Sequence, residues 1–347
     1  MPRFRASLRN GRRRRQARRF DPDARCRRYQ PAFGTRVGAT GPAVKDLAKN
    51  SWPSHLGVCR DRELAPHTYF GIGGPAQYLA IADEASRLTE LLDFGSSREL
   101  PVTVLGNASN VLIGDDGVEG LVIINQARQL GLHERGKISA ESGALMGQLA
   151  HFAAENGIGG FEFGLGIPGS VGGSVFGNAG CFGSDISKVL ERALVWRNDG
   201  VSWQGRDEFE FGYRCSALQR EPGLAVVIEV RLQGVARPES EIRSRMVQIQ
   251  DKRRQSQPAD RSAGSIFKNP AGDFAGRLIE KAGLKGARSG AAQVSDRHAN
   301  FIVNRGQARA ADVVALMDRI RRRVHEVSGI RLEPEIRRIG SGFGETA

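Results

Sequence analysis

The sequence predicts an α+β fold with two folded parts, and three observations lead to this prediction. Short apolar strands alternate with amphipathic helices over residues 77–232, which is typical of a mixed sheet-and-helix domain. Pro238 precedes a part with three helical patterns, which indicates a second domain. Within the first part, residues 159–183 hold ten glycines in 25 positions, which predicts a loop lined by its own backbone. We therefore divide the chain into residues 1–60, 61–236 and 237–347.

The net charge is confined to the N-terminal 60 residues. These residues hold 16 Lys or Arg and 3 Asp or Glu, whereas the other 287 of the 347 residues hold 35 of each kind. The folded parts therefore have no net basic bias, which argues against a specific nucleic-acid partner. No apolar run approaches the roughly 18 residues of a membrane span, so we expect no membrane insertion. The four cysteines are scattered without a CxxC pair, which favours a reducing, cytoplasmic compartment.

Residues 1–60 are predicted to be a disordered basic extension. They contain the run Arg12–Arg15 and little apolar patterning. A secretory signal would need an apolar segment after the arginines, and Phe20–Arg28 is not one. An Arg-rich transit peptide is one alternative. We favour the other, a dispensable or mis-assigned start, and expect a chain beginning at Val58 to keep its activity.

The first folded part is predicted to be mostly strands. Asp83 can cap a helix whose leucines recur at helical spacing, and residues 144–156 form a second amphipathic helix that ends at Gly157. Asp199-Gly200 is a hairpin signal. The expected strands are Gln77–Ile81, Pro101–Leu105, Val111–Ile113, Leu121–Ile124, Ala193–Arg197, Val201–Gln204 and Ala225–Leu232.

The second folded part is predicted to be richer in helix. Ile242, Met246 and Ile249 recur at a period of 3.6 residues within a helix over 239–254. A shorter helix over 274–282 ends at Gly283, and a long one over 310–327 ends at Gly329. A strand is expected over Phe301–Val303.

The glycine-rich stretch is interpreted as a phosphate cradle for a nucleotide cofactor. Successive exposed N–H groups form a concavity that binds anions. A purely structural glycine turn is the alternative, and the length of the stretch argues against it, since loops beyond about 12–15 residues are usually functional or disordered. Residues 164–169 also match GxGxxG. We reject a Rossmann motif because Gly169–Gly173, which follows, is a poor start for a helix.

Three polar residues stand in otherwise apolar or small-residue stretches. Arg214 lies in Phe211–Ser216, Ser265 follows a glycine, and Glu335 lies in the predicted final strand. Each has a structural alternative when taken alone: an ion pair, a turn hydroxyl and an edge-strand charge. The six histidines accompany no GxSxG elbow, and no set of residues has metal-ligand spacing, so we expect no metal.

Six motifs in order resemble the UDP-N-acetylenolpyruvoylglucosamine reductase family over residues 64–339. The motifs are Thr68–Pro75, Gly106–Asn110, Gly166–Gly173 with Asn178–Gly180, Gly212–Arg214, Gly264–Pro270 and Leu332–Arg337. The interval of 70 residues from Ser265 to Glu335 is too short for the tyrosine-bearing loop of the family's first type. The chain therefore resembles the second type.

The resemblance implies a role for each matching residue. Arg214, Ser265 and Glu335 correspond to the catalytic set. The implied FAD-binding residues are Gly73, Gly74, Gly106, Asn107, Ser109, Asn110, Gly166, Ile167, Pro168, Gly169, Ser170, Gly172, Gly173 and Asn178. The implied substrate-binding residues are Tyr213, Arg254, Lys268 and Asn269.

The resemblance also implies the activity and the architecture. The expected protein is a cytoplasmic, monomeric flavoenzyme with non-covalent FAD. It uses NADPH to reduce the enolpyruvyl group of UDP-N-acetylglucosamine enolpyruvate to UDP-N-acetylmuramate, a peptidoglycan precursor. Its expected fold is a two-lobed FAD-binding domain of the vanillyl-alcohol oxidase type, followed by an α/β substrate-binding domain.

Two other functions are alternatives to this one. A related flavin oxidase would share the cradle but would need a base and an oxygen route in place of Ser265, Arg214 and Glu335. An arginine-tailed nucleic-acid binder on an inert fold would not need that set, and it conflicts with the neutral charge of the folded parts.

Overall fold

The computed structural model describes residues 52–134, 136–220 and 224–344. The chain divides into two units, residues 1–57 and 58–347. In the first, the described residues contain a single 3-10 turn, Ser54–Leu56. The disorder predicted for residues 1–51 lies outside the described residues. Cys59 and Arg60, assigned to the extension from the sequence, are instead in a strand, because they pair with Leu79 and Tyr78.

The first lobe of the larger unit is a four-stranded sheet with one helix. Strand β5 pairs in parallel with β2 and β3, and β1 closes one edge antiparallel to β2, in the order β1-β2-β5-β3. The elements are β1 (Cys59–Glu63), β2 (Pro75–Ala82), α1 (Ala85–Ser97), β3 (Val102–Leu105), β4 (Val111–Ile113) and β5 (Val118–Asn125).

Helix α1 begins differently from the prediction. Its capping residue is Glu84 rather than Asp83, and Glu84 makes no side-chain capping bond. Instead the Ala85 N–H donates to Glu141 Oε1 at 2.9 Å. A partner distant in sequence supplies the acceptor here, so the local pattern pointed to the wrong residue.

The second lobe is a five-stranded antiparallel sheet in the order β12-β11-β13-β7-β6, with two helices. The predicted hairpin at Asp199-Gly200 joins β11 and β12. The elements are β6 (Leu130–Glu134), β7 (Lys137–Glu141), α2 (Met146–Glu155), β8 (Ile158–Gly159), α3 (Val171–Gly177), β9 (Gly180–Cys181), β10 (Ser184–Asp185), β11 (Leu190–Arg197), β12 (Gly200–Gly205), β13 (Val226–Gln233) and β14 (Val235–Ala236).

The C-terminal part is a four-stranded antiparallel sheet, β15-β18-β17-β16, with helices. Its elements are α4 (Glu239–Ser256), β15 (Ser262–Ser265), α5 (Ala275–Lys281), β16 (Arg288–Ser289), β17 (Ala292–Val294), β18 (Phe301–Asn304), α6 (Ala310–Ser328) and β19 (Arg337–Ile339). None of the helices in the described ranges is long and apolar enough to cross a bilayer.

Helix α4 packs with the second lobe, although the sequence placed it in the C-terminal domain. Its buried residues Ile242 and Met246 form a small core with Ala150 and Ala154 of α2. The small alanines let the two helices approach closely. Helix α4 therefore shares a core with the second lobe, and the boundary between residues 236 and 237 stays a prediction.

The chain returns to the first lobe at its end. Strand β19 pairs in parallel with β4, with Arg337 opposite Val111 and Ile339 opposite Ile113. A second link is the turn over residues 68–75, whose Phe70 and Ile72 are buried in the C-terminal core. These two links bring the segment around Glu335 next to the turn over residues 106–110.

Asp115 fastens the first lobe to helix α6. Its carboxylate accepts from the backbone N–H groups of Ala310 at 2.8 Å and Ala311 at 3.2 Å. A carboxylate at this position satisfies helix-start donors and favours the positive end of the helix dipole.

We expect Asp115→Ala to lower the free energy of unfolding by about 1–2 kcal/mol, as loss of a helix cap does. Urea unfolding of the purified protein measures this loss. Asp116→Ala is the neighbouring control. Equal stability of the two variants would contradict the capping role.

Candidate active site

A cavity of about 790 Å³ is lined by all three parts of the larger unit. The first lobe contributes the end of β3 and the turn over residues 106–110. The second lobe contributes Arg214 and residues 166–170, 172–174, 176, 177 and 179–181. The C-terminal part adds Ser265, Lys268 and residues 334–339. The predicted catalytic residues, distant in sequence, therefore face one space.

The turn after β3 offers backbone donors to this cavity. Within the described residues, the amides of Asn107, Ala108, Ser109 and Asn110 donate no hydrogen bond. The Asn107 side chain donates to the carbonyl of Pro168, so the turn is joined to the glycine-rich stretch. Consecutive unsatisfied amides beside a cavity form an anion-binding nest.

The glycine-rich stretch is not all loop, contrary to the prediction. Residues 162–166 form a 3-10 helix, and α3 begins immediately after Gly169-Ser170. Ser170 caps it by accepting from the Gly173 N–H at 3.3 Å, so our judgement that this was a poor helix start was wrong. The Rossmann assignment still fails, because α3 has seven residues and follows a 3-10 turn rather than a strand.

Close packing explains two glycines here. A Cβ at Gly106 would overlap the Ser170 side chain, and one at Gly172 would lie 2.8 Å from Ser142 Cβ. No further side chain fits where α3 packs against the turn after β3 and against the end of β7. Backbone atoms therefore form the cavity wall at these positions.

Eleven of the fourteen predicted cofactor residues line the cavity. These are Gly106, Asn107, Ser109, Asn110, Gly166, Ile167, Pro168, Gly169, Ser170, Gly172 and Gly173. Gly73 and Gly74 are not among the lining residues. The Gly74 N–H instead donates to the Gly114 carbonyl at 3.0 Å, and a Cβ there would overlap Asp115, so this pair serves packing of the first lobe.

Asn178, the third exception, is a buried helix end rather than part of the cavity wall. It has a left-handed backbone (φ 43°) after α3, and its Nδ2 donates to the Gly212 carbonyl at 2.8 Å. The Asn178 side chain therefore contacts the segment that carries Arg214.

Arg214 occupies a tight two-residue hairpin. Gly212 and Cys215 exchange backbone hydrogen bonds of 3.0 and 3.2 Å around Tyr213 and Arg214. Arg214 itself has φ 55°, a conformation that non-glycine residues rarely adopt. Strain of this kind persists only where surrounding contacts impose it, and it concentrates at functional sites.

Glu335 faces Arg214 across the cavity. Its Oε1 lies 2.6 Å from Arg214 Nε, and the N–H does not point along that line, so the contact is an ion pair without an aligned hydrogen bond. Backbone bonds fix Glu335 on both sides: its N–H donates to the Ile266 carbonyl, and its carbonyl accepts from Asn110 Nδ2. Burial raises the pKa of Glu335, while Arg214 and Lys268 act in the opposite direction.

Ser265 ends strand β15 on the C-terminal wall, opposite Phe301 of β18. Gly264, before it, has φ 73°, which turns the chain so that the next residue meets the cavity. Among the described residues, the Ser265 hydroxyl has no hydrogen-bond partner, so it is available to a bound molecule.

One of the four predicted substrate-binding residues lines the cavity, and three do not. Lys268 lines the cavity and lies 3.5 Å from Glu333. Tyr213, Arg254 and Asn269 do not line it. Arg254 is exposed and paired with Asp251, while Asn269 Oδ1 accepts from the Ala275 N–H at the start of α5.

Three cavity arginines, Arg253, Arg337 and Arg338, are absent from the predicted site residues. Arg253, the neighbour of Arg254, donates to the Leu165 carbonyl at 3.2 Å and lines the cavity. Arg337 also lines it, with its guanidinium 4.4 Å from the centre of the Phe176 ring. A more careful helical alignment of α4 would have found Arg253, since it lies seven residues after the buried Met246.

The donor set fits a dinucleotide such as FAD. The nest at residues 107–110 and the wall at Gly106 and Gly172 suit a diphosphate. In the described ranges, no group of three or more His, Cys, Asp or Glu side chains is placed to hold a metal.

Comparison with known proteins agrees with this geometry. A family model described as "FAD binding domain" matches residues 76–203, and one described as "UDP-N-acetylenolpyruvoylglucosamine reductase, C-terminal domain" matches residues 257–339. The second match begins at the residue that follows the end of α4.

Similar proteins cover most of this chain. The UDP-N-acetylenolpyruvoylglucosamine reductase of Agathobacter rectalis is 42% identical over 300 residues, which are 82% of this chain and 95% of that protein. The reductase of Bacillus velezensis is 40% identical over 287 residues, with 82% and 94% covered. The crystal structure of the reductase MurB from Thermus caldophilus is 39% identical, has a TM-score of 0.70 and covers 80% of this chain and 97% of its own.

Proposed function

Because this chain belongs to the UDP-N-acetylenolpyruvoylglucosamine reductase family, we propose that its cavity takes NADPH as reductant and uses Arg214, Ser265 and Glu335 for catalysis. The protein is an FAD-dependent oxidoreductase that reduces the enolpyruvyl group of UDP-N-acetylglucosamine enolpyruvate to UDP-N-acetylmuramate, in peptidoglycan synthesis. The meeting of the Arg214–Glu335 pair and the free Ser265 hydroxyl in one cavity supports these roles. We further propose that it works as a cytoplasmic monomer.

The nest at residues 107–110 and the walls of α3 and β3 would hold FAD. When bound, FAD supplies the hydride chemistry between NADPH and the substrate. The protein's part is to place the double bond of the substrate beside the cofactor and to stabilise the charge that develops there.

Arg214 and Glu335 stabilise the developing carboxylate-conjugated enolate of the substrate. A guanidinium offers two parallel N–H donors, which match a carboxylate or an enolate. Glu335 can donate a further hydrogen bond when protonated, as a buried carboxylic acid does. The ion pair of Arg214 with Glu335 is therefore replaced by contacts with the substrate when the substrate binds.

Ser265 supplies the proton that is added to the α-carbon of the enolate after the hydride has reached the β-carbon. A serine hydroxyl is a weak acid, so a neighbouring cation must favour its alkoxide. Lys268, three residues further on and in the same cavity wall, is suited to this role. The Lys268 and Arg253 side chains also bind the diphosphate of the nucleotide sugar in this proposal, with Arg253 replacing the predicted Arg254.

We expect the purified protein to be yellow, with about one non-covalent FAD per chain. Cys181, the cavity thiol, gives little thiolate near neutral pH, because burial raises its pKa to about 11. The measurement is the visible absorbance before and after acid precipitation. A protein that stays colourless after FAD is added would contradict the cradle, whereas flavin retained in the precipitate would contradict only non-covalent binding.

The pH dependence of substrate reduction tests Glu335. Its raised pKa keeps the acid form to higher pH, so we expect the rate to be full below that pKa and to fall as the pH rises through it. Glu335→Gln keeps a donor that does not titrate, and its profile should lack this fall. A wild-type fall that persists unchanged in Glu335→Gln would show that another group titrates.

A further inference from the structure

We propose that Asn178 and Gln219 are positioning residues for Arg214. Their side chains hold the hairpin that carries Arg214 against the C-terminal end of α3. The position of the Arg214 guanidinium is therefore tied to the position of α3, which forms part of the cavity wall. The inference rests on the proposed role of Arg214. It replaces the expectation that Asn178 binds FAD.

The Arg214 hairpin needs support from outside itself. Its two backbone hydrogen bonds close the turn but leave Arg214 at φ 55°. A non-glycine residue in this region is strained, and the strain persists only where surrounding contacts impose it. A relaxed hairpin would swing the guanidinium away from Glu335.

Asn178 fixes the first side of the hairpin. Its Nδ2 donates to the Gly212 carbonyl, which also accepts the closing bond from Cys215. The Asn178 side chain is buried, and its Oδ1 has no partner among the described residues. Within the described ranges, the bond to the Gly212 carbonyl is the only hydrogen bond of the Asn178 side-chain amide.

Gln219 fixes the second side. Its Nε2 donates to the Arg214 carbonyl at 3.2 Å and to the Phe176 carbonyl at 3.0 Å. One amide nitrogen therefore joins the backbone of Arg214 to the last turn of α3. Ser216 adds a bond of 2.6 Å from its hydroxyl to the same Phe176 carbonyl.

Helix α3, to which the hairpin is bonded, also forms part of the cavity wall. Helix α3 lines the cavity through residues 172–174, 176 and 177, and Phe176 also lies under the guanidinium of Arg337. A shift of the hairpin relative to α3 is therefore a shift of Arg214 relative to the bound cofactor. Misplacement by about 1 Å costs roughly 100-fold in rate.

Stopped-flow absorbance of each half-reaction tests this positioning role in the FAD-loaded enzyme. Asn178→Gly keeps the left-handed backbone and removes the donor, and Gln219→Leu removes both of its bonds. Each should slow reduction of the substrate by about 10–100-fold, with FAD affinity and flavin reduction by NADPH within about twofold. The matched control is Asn156→Gly at the end of α2, where Nδ2 donates to the Phe152 carbonyl at 2.8 Å, and it should change neither half-reaction.

A double-mutant cycle separates positioning from a general structural effect. In an Arg214→Lys background, Asn178→Gly and Gln219→Leu should add little further loss, because they act through the side chain that has already been changed. Full additivity, or equal slowing of both half-reactions, would overturn the proposal. So would lost FAD affinity with an unchanged substrate step, which would make Asn178 a cofactor residue. Failure of the wild-type enzyme to reduce the substrate would instead count against the proposed function.

Discussion

Ser265→Ala should leave flavin reduction by NADPH nearly intact and slow the reduction of the substrate by several orders of magnitude. The first half-reaction needs no proton for the substrate carbon, whereas the second cannot finish without one. The loss should exceed the ~10²–10⁴ typical of a missing general acid if no water molecule takes over the proton transfer.

Ser265→Cys and Ser139→Ala are the companions of this variant. A thiol is a stronger acid of similar geometry, so Ser265→Cys should recover part of the rate. Ser139 is a strand serine whose hydroxyl donates to the Gly131 carbonyl, and its loss should affect neither half-reaction. If Ser265→Ala slows both halves equally, or neither, Ser265 is a turn residue and the proton must come from elsewhere.

Arg214→Lys should slow the substrate half-reaction by about 10²–10³, as loss of a donor to a developing oxyanion does. Lysine keeps the positive charge but cannot reproduce the two parallel N–H donors of the guanidinium. Flavin reduction by NADPH should remain close to the wild-type rate. Stopped-flow absorbance with the substrate in excess measures the defect.

Arg192→Lys is the matched control for that substitution. Arg192 does not line the cavity, and its guanidinium carbon lies 4.6 Å from the centre of the Trp203 ring in the second lobe. We expect both half-reactions to be unchanged in this variant. A wild-type substrate rate in Arg214→Lys would show that charge alone suffices and would contradict the proposed bidentate contact.

Much of the fold was predictable because its periodic signals are strong. The strands around Leu121–Ile124 and Ala225–Leu232 and the long helix over 310–327 were all found from apolar spacing. Boundaries fixed by distant partners were not predictable. The first N–H of helix α1 donates to Glu141, and α4 packs against Ala150 and Ala154 of α2. Local sequence patterns do not reveal either contact.

Some residues of the candidate site could be predicted from local motifs, whereas the roles of others depend on contacts that are distant in sequence. Ser265, Arg214 and Glu335 could be named from motifs, and the structure brings all three to one cavity. The glycines at 73 and 74 look like cofactor residues in the sequence, but they serve a close backbone approach within the first lobe. The motif that names Asn178 does not show that its amide reaches the Arg214 hairpin, because that contact spans 34 residues.

The most direct test of the account mixes NADPH-reduced enzyme with UDP-N-acetylglucosamine enolpyruvate in the absence of oxygen. We expect the visible absorption of oxidised FAD to return within one turnover, together with one equivalent of UDP-N-acetylmuramate by mass spectrometry. A flavin that stays reduced until oxygen is admitted would contradict the account and would indicate the oxidase alternative.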